Sequence, residues 1–243
     1  MNINKVNILG TKIDNLRFLQ ALGMVEKMID KRKKVMVVTP NPEIITKAYS
    51  NRSYQKVLNS AYLSLADGAG VLWAAKRRKT PIIERITGVD FCQALIALSE
   101  KRSWKLYLLG GAPGVAIDTK RRLIKKYPKL QVVGANFGKW KDQGTDYEII
   151  SGLKKTKPDI VLVAFGAPKQ EKWISDNFSQ IPSAIYIGVG GTLDFFAGRI
   201  KRAPKWMQKN GLEWFYRIIE EPKRISRIPL LIKFVFLNII NNK

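Results

Sequence analysis

The chain has no histidine, a single cysteine (Cys92), and fewer than half as many acids (19) as bases (43). Without histidine the usual zinc and copper ligand sets are absent, and one cysteine cannot form an internal disulfide. A general base at neutral pH must then be a carboxylate, with lysine or tyrosine as poorer candidates. Long apolar runs are missing too. The nearest approach, Ile228–Ile240, is interrupted by Lys233 and Asn238 and falls short of the roughly 20 residues that cross a bilayer as a helix. The opening "MNINKVNILGTKIDN" has no basic segment followed by a long apolar one, so no secretory signal is expected and a reducing cytoplasm fits.

What is present is a chain of 243 residues, 46% hydrophobic, with a formal charge of +24. That size suits one α/β domain plus an appendage, and the charge calls for an anionic partner: nucleic acid, a phosphorylated substrate or an acidic membrane face. Eleven bases against three acids lie from Arg199 onward. Apolar runs at Lys5–Gly10, Lys33–Thr39, Tyr62–Asp67, Trp104–Gly110, Leu130–Ala135, Asp159–Gly166 and Ala184–Gly190 predict strands, with helical patterns between most of them. This alternation predicts a Rossmann-like, largely parallel sheet flanked by helices. One predicted helix carries Leu16, Leu19, Leu22, Val25 and Met28 on its apolar face; another carries Phe91, Leu95 and Leu98.

In such sheets ligands sit beyond the carboxyl ends of the strands. Those ends read "TPNPE", "ADGAG", "GGAPG", "FGAPKQEKW" and "GVGGTLDFFAG". Gly110, Gly111 and Gly114 mark a strand-to-helix junction able to hold a phosphate. The pattern is neither G-x-G-x-x-G nor a P-loop, and the next strand lacks a ribose-gripping acid, which counts against a nicotinamide dehydrogenase. No D-x-D occurs, so the acidic clamp that commonly ties a metal to a sugar nucleotide is missing; no metal and no cofactor are expected. Arginines and lysines would have to neutralise a leaving diphosphate. Asp67, at the end of an apolar strand and before "GAG", is either a general base or the cap of the helix that follows it. A nucleic-acid-binding module would explain the charge, but the glycine-rich strand ends favour a small-ligand pocket, and no nucleic acid is expected.

In this order, "TPNPE", "ADGAGVLWAAK", "ERITGVDF", "YLLGGAPGV", "VAFGAPKQEKWI", "IGVGGTLDFFAGRIKRAP" and "GLEWFYRIIEEPKR" resemble the WecG/TagA/CpsF glycosyltransferase family over nearly the whole chain. Within it the sequence is similar to the TagA branch. The resemblance implies an inverting transfer of N-acetylmannosamine from UDP-N-acetylmannosamine to the 4-hydroxyl of N-acetylglucosaminyl-diphospho-undecaprenol, as in wall teichoic acid synthesis. Another donor, such as UDP-N-acetylmannosaminuronate, stays open. Asp67 would be the base, with Thr39 beside it. Asn41, Arg85, Gln170 and Asp194 would hold the donor, and Gly110, Gly111, Gly190 and Gly191 would let backbone approach it.

A polyprenyl-linked acceptor requires the enzyme to visit the membrane surface. The expectation is a catalytic domain over 1–197 and a basic, aromatic appendage over 198–243, peripheral on the inner face of the cell membrane and drawn to its anionic lipids. Arg217, Arg224 and Arg227 in that appendage would meet diphosphates. Pro222 and Pro229 should divide it into short helices. A homo-oligomer in solution is left open.

Overall fold

The computed structural model describes residues 4–138, 143–182 and 184–241; Lys243, counted above among the basic residues of the appendage, lies outside them. The chain opens with β1 (Lys5–Ile8), β2 (Thr11–Asp14), α1 (Phe18–Asp30), β3 (Val35–Val38), α2 (Pro42–Tyr49), α3 (Arg52–Asn59) and β4 (Leu63–Ser64). It continues through α4 (Ala69–Arg77), α5 (Gly88–Arg102), β5 (Lys105–Gly110), α6 (Val115–Lys126), β6 (Gln131–Asn136), α7 (Gln143–Thr156) and β7 (Ile160–Ala164). Then follow α8 (Lys169–Asp176), β8 (Ile185–Gly188), α9 (Thr192–Phe196), α10 (Lys205–Lys209), α11 (Glu213–Glu220), a 3-10 turn (Pro222–Arg227) and α12 (Ile228–Ile240).

Six strands form one parallel sheet in the order β4-β3-β8-β7-β5-β6. Alternate residues of each strand enter different cores, as the pleat requires. Val35 and Val37, Leu106 and Leu108, and Ile185 and Ile187 meet α1, α5 and α6. Met36, Val38, Tyr107, Leu109 and Tyr186 meet α2, α3, α7 and α8 on the other face. Both faces are covered, which is why the strands read as nearly continuous apolar runs.

Two expectations are corrected. The first strand does not join the sheet: Lys5–Ile8 pairs antiparallel with Thr11–Asp14, a strand the sequence pattern did not reveal. Leu9 and Gly10 both have positive φ (52° and 83°), the geometry of a two-residue hairpin loop. Leucine in place of the usual Asn or Asp hides the signal. The hairpin is fastened to β4 by Asp14, which accepts from the Ser64 N–H at 2.7 Å and pairs with Lys5 at 2.9 Å. In α1, Leu19 is exposed, and the buried face is Ala21, Leu22, Val25 and Ile29. A spacing of three drifts off the stripe of a helix with 3.6 residues per turn.

The C-terminal segment divides as its prolines direct. The α11 helix stops before Pro222, while Pro229 takes a first-turn position in α12, where no N–H is needed. Phe234 and Leu237 of α12 complete a third core with Val6, Ile8, Ile13, Ile45, Val71 and Ala74. Arg78 donates to Asn238 Oδ1 at 3.3 Å, and Thr46 donates to the Leu230 carbonyl at 3.2 Å. Among the described residues no helix is long and apolar enough to cross a membrane.

Candidate active site

A cavity of about 750 Å³ opens at the carboxyl ends of β3 and β4 and is bordered by α11 and α12. Asp67 lines it together with Asn41, Arg85, Thr87, Glu213 and Arg217. Asp67 does not cap α4: that helix starts from Gly68 with no side-chain cap. Instead Asp67 Oδ2 accepts from the Gly88 N–H at 3.2 Å, in the first turn of α5. Thr87 is the cap there, accepting from the Asp90 N–H. Burial pushes the Asp67 carboxyl up to about 6; the Gly88 hydrogen bond opposes this, Glu213 adds to it, and Arg85 and Arg217 oppose it. A carboxylate with that value is suited to taking a proton near neutral pH.

Three arginines face the same space. Glu221 Oε1 accepts from Arg217 at 2.9 Å and from Arg224 at 2.7 Å, so one carboxylate aims two guanidinium groups. Arg227 pairs with Glu43 at 3.2 Å. The Arg217 guanidinium also lies 4.8 Å from the centre of the Phe195 ring, a cation–π contact. Arg217 and Arg224 converge on the loop after β8: a Cβ placed on Gly191 would stand 3.0 Å and 3.5 Å from their Nη2 atoms and 3.6 Å from Asp194 Oδ2. Asp194 is raised by burial and by Glu221, against Arg217, Arg199 and Arg224. Among the described residues no group of three His, Cys, Asp or Glu could hold a metal ion.

Residues 6–243 match the Glycosyl transferase WecG/TagA/CpsF family. Proteins of Staphylococcus aureus strains MW2 and NCTC 8325 / PS 47 are each 33% identical over 237 residues, which is 97% of this chain and 92% of each relative. Both are described as N-acetylglucosaminyldiphosphoundecaprenol N-acetyl-beta-D-mannosaminyltransferase. The chain belongs to the WecG/TagA/CpsF family.

In this WecG/TagA/CpsF member, Asp67, Asn41, Arg85, Arg217, Arg224 and Arg227 share the cavity. Thr39 lies just behind: its hydroxyl is 3.5 Å from the Gly188 carbonyl, and a Cβ on Gly88 would be 3.3 Å from Thr39 Oγ1 and 3.6 Å from Asp67 Oδ2. Asn41 caps α2 through the Ile44 N–H at 2.9 Å, and Arg85 donates to the Gln208 carbonyl at 3.0 Å. Gln170 is not in the cavity lining: it is buried and accepts from the Gly190 N–H at 2.8 Å. Gly110 and Gly111 are not brought to the cavity either. Gly110 ends β5 and Gly111 follows it, three strand spacings or about 14 Å from β3. Positive φ at both lets the turn fold against β7, where the Gly111 N–H donates to the Ala164 carbonyl at 3.0 Å.

Two further groups were not singled out in the sequence. Arg202 pairs with Asp90 of α5 and, at 3.2 Å, with Glu213 of α11, fastening the C-terminal segment beside Asp67. Buried Glu171 accepts from Gln170 Nε2 at 2.7 Å and from the Tyr54 hydroxyl at 3.0 Å. These contacts leave Gln170 Oε1 directed at Gly190. Both residues lie inside motifs quoted above, Glu171 in "VAFGAPKQEKWI" and Arg202 in "IGVGGTLDFFAGRIKRAP", but their roles could not be read there, because each acts through a partner distant along the chain.

Proposed function

We propose that the chain is an inverting, metal-independent glycosyltransferase that moves N-acetylmannosamine from UDP-N-acetylmannosamine to N-acetylglucosaminyl-diphospho-undecaprenol. The product would be the β-linked disaccharide of the wall teichoic acid linkage unit. The observation that carries this reading is the facing of the half-buried Asp67 carboxylate, raised to about 6, by Arg85 and Arg217 in one cavity. Similarity to the staphylococcal transferases over 97% of the chain supports the choice of substrates.

In this reading the acceptor's 4-hydroxyl oxygen attacks the anomeric carbon of the donor sugar, and its proton passes to Asp67. The bond from that carbon to UDP breaks, its electron pair leaving with the β-phosphate. Attack from the face opposite the leaving group inverts the α-linked donor to a β-linkage. Arg217 and Arg224, aimed by Glu221, stabilise the diphosphate charge. Gly190, Gly191 and Asp194 take the donor, and Gln170 holds their loop. Thr39 and Asn41 border the acceptor hydroxyl and the donor.

Residues 198–243 form the part that meets the membrane, on the cytoplasmic leaflet, with the basic side chains on anionic lipid and Trp206, Trp214 and Phe215 at the interface. All three aromatics are exposed. Product analysis with purified protein, a lipid-linked acceptor and a panel of UDP-sugars tests the reading. N-acetylmannosamine transfer with a β-linkage is expected. Transfer only from UDP-N-acetylmannosaminuronate would reassign the donor, and no transfer from any UDP-sugar would overturn the function.

A further inference from the structure

The α12 helix is apolar on two sides, and the protein core uses one of them. Phe234 and Leu237 are buried in the third core. The other side is Ile228, Leu231, Ile232, Val235, Phe236 and Ile239, spaced i, i+3, i+4, i+7, i+8 and i+11, which is one continuous stripe on an α-helix. All six line the cavity that contains Asp67. Ile232 is 65% exposed and Phe236 59%, so among the described residues this part of the stripe is left largely uncovered. Trp73 of α4 lines the same cavity and is also exposed.

The chemistry of this cavity changes in a definite order. Asp67 stands just after β4, with Arg85 and Thr87 immediately before α5. Arg217, Arg224 and Arg227 come next, and Arg227 immediately precedes α12. From Ile228 the apolar stripe then runs for about 16 Å along the helix, at 1.5 Å per residue. A carboxylate, then guanidinium groups, then hydrocarbon is complementary to a sugar, then a diphosphate, then a lipid. A helix face meant only to lie in a bilayer would be convex and outermost, whereas this stripe lines a concave space shared with Trp73.

We infer that the groove between α12 and α4 holds the first isoprene units of the acceptor, with its diphosphate at Arg227, beyond the Arg217 and Arg224 that meet the leaving UDP, and its sugar at Asp67. The sugar's placement rests on the transferase reading above; the lipid groove does not. The enzyme thus draws the reactive end of the acceptor out of the bilayer together with the beginning of its chain. Prenyl recognition is then a property of the protein and not of the membrane.

The test is a titration in membrane-free buffer with geranyl diphosphate and, separately, inorganic pyrophosphate, followed by calorimetry and by the fluorescence of Trp73 and Trp214. Burial of even part of a ten-carbon chain should make geranyl diphosphate bind on the order of tenfold tighter or more. Val235→Trp, which fills the groove from an exposed position, should bring geranyl diphosphate down to the affinity of pyrophosphate and leave pyrophosphate binding as it was. Val235→Ser should narrow the gap without adding volume.

Equal affinity of the two ligands for the parent protein overturns the inference. If, in addition, Val235→Ser reduces cosedimentation with anionic vesicles, the stripe belongs to the bilayer. Preferential binding of geranyl diphosphate by a protein that transfers no sugar to a lipid-linked acceptor would leave the groove standing and sink the transferase reading.

Discussion

Asp67 and Gly88 are joined by a hydrogen bond of 3.2 Å from the backbone N–H of one to the carboxylate of the other. The bond ties the end of a strand to the first turn of α5, where the N–H groups and the helix dipole favour negative charge. Burial works in the opposite direction and prevails, so the carboxyl is raised to about 6.

Asp67→Asn keeps the shape of this contact and removes the base. Turnover should fall about 100-fold or more, as loss of general-base catalysis typically produces. UDP binding by calorimetry should be unchanged. Near-normal turnover would remove Asp67 from the mechanism.

The raised value also has a consequence for stability. Between 3.8 and about 6 the folded chain keeps a proton on Asp67 that the unfolded chain has released. The contribution of this group is therefore most favourable below that window and declines as pH rises through it. Asp67→Asn escapes the decline, so its melting temperature should exceed the parent's at pH 7.5 and approach it at pH 4. A difference that does not depend on pH would contradict the assignment.

Gln170→Met tests the support of the Gly190 loop. The replacement is unbranched and similar in length, but it leaves the Gly190 N–H and Glu171 Oε1 without Gln170 as a partner. A loss of about 1–3 kcal/mol in urea unfolding is expected, as for buried groups left unpaired. Weaker UDP binding should accompany it. An unchanged unfolding midpoint would show that these hydrogen bonds contribute nothing to stability.

Arg202→Gln removes the tie between Asp90 and Glu213. Hydrogen exchange should accelerate in α11 while α5 stays protected, because only the lighter of the two elements depends on this contact for its position. Uniform protection in both helices would show that α11 is held by its apolar contacts alone.

If guanidinium groups neutralise the leaving diphosphate, turnover should survive excess EDTA, and Arg224→Glu should impair it even with a water-soluble acceptor. Loss of activity on chelation, restored by magnesium or manganese, would contradict that account. Full activity of Arg224→Glu on the soluble acceptor would reduce this residue to a lipid contact.

Much of the fold is local in origin and was therefore legible in the sequence. The parallel sheet appears as apolar runs separated by helical patterns, because strands covered on both faces need apolar residues at every position. Glycine-rich strand ends marked where polar groups gather, and Pro222 marked the end of α11. What the sequence could not express is which distant segments meet. Strand order puts Gly190 and Gly191 next to β3 and sends Gly110 and Gly111 about 14 Å away, although all four look alike as turns. A choice between base and cap at Asp67 depended on the first turn of α5, 21 residues later, and the caps of α4 and α5 proved to be other residues. Arg217 and Arg224 share Glu221 through local spacings of four and three residues, but that the pair meets Gly191 depends on the chain folding back across the cavity. Periodicity and turn chemistry act over a few residues, whereas packing of the two sheet faces and the docking of α12 decide which side chains come within hydrogen-bond reach.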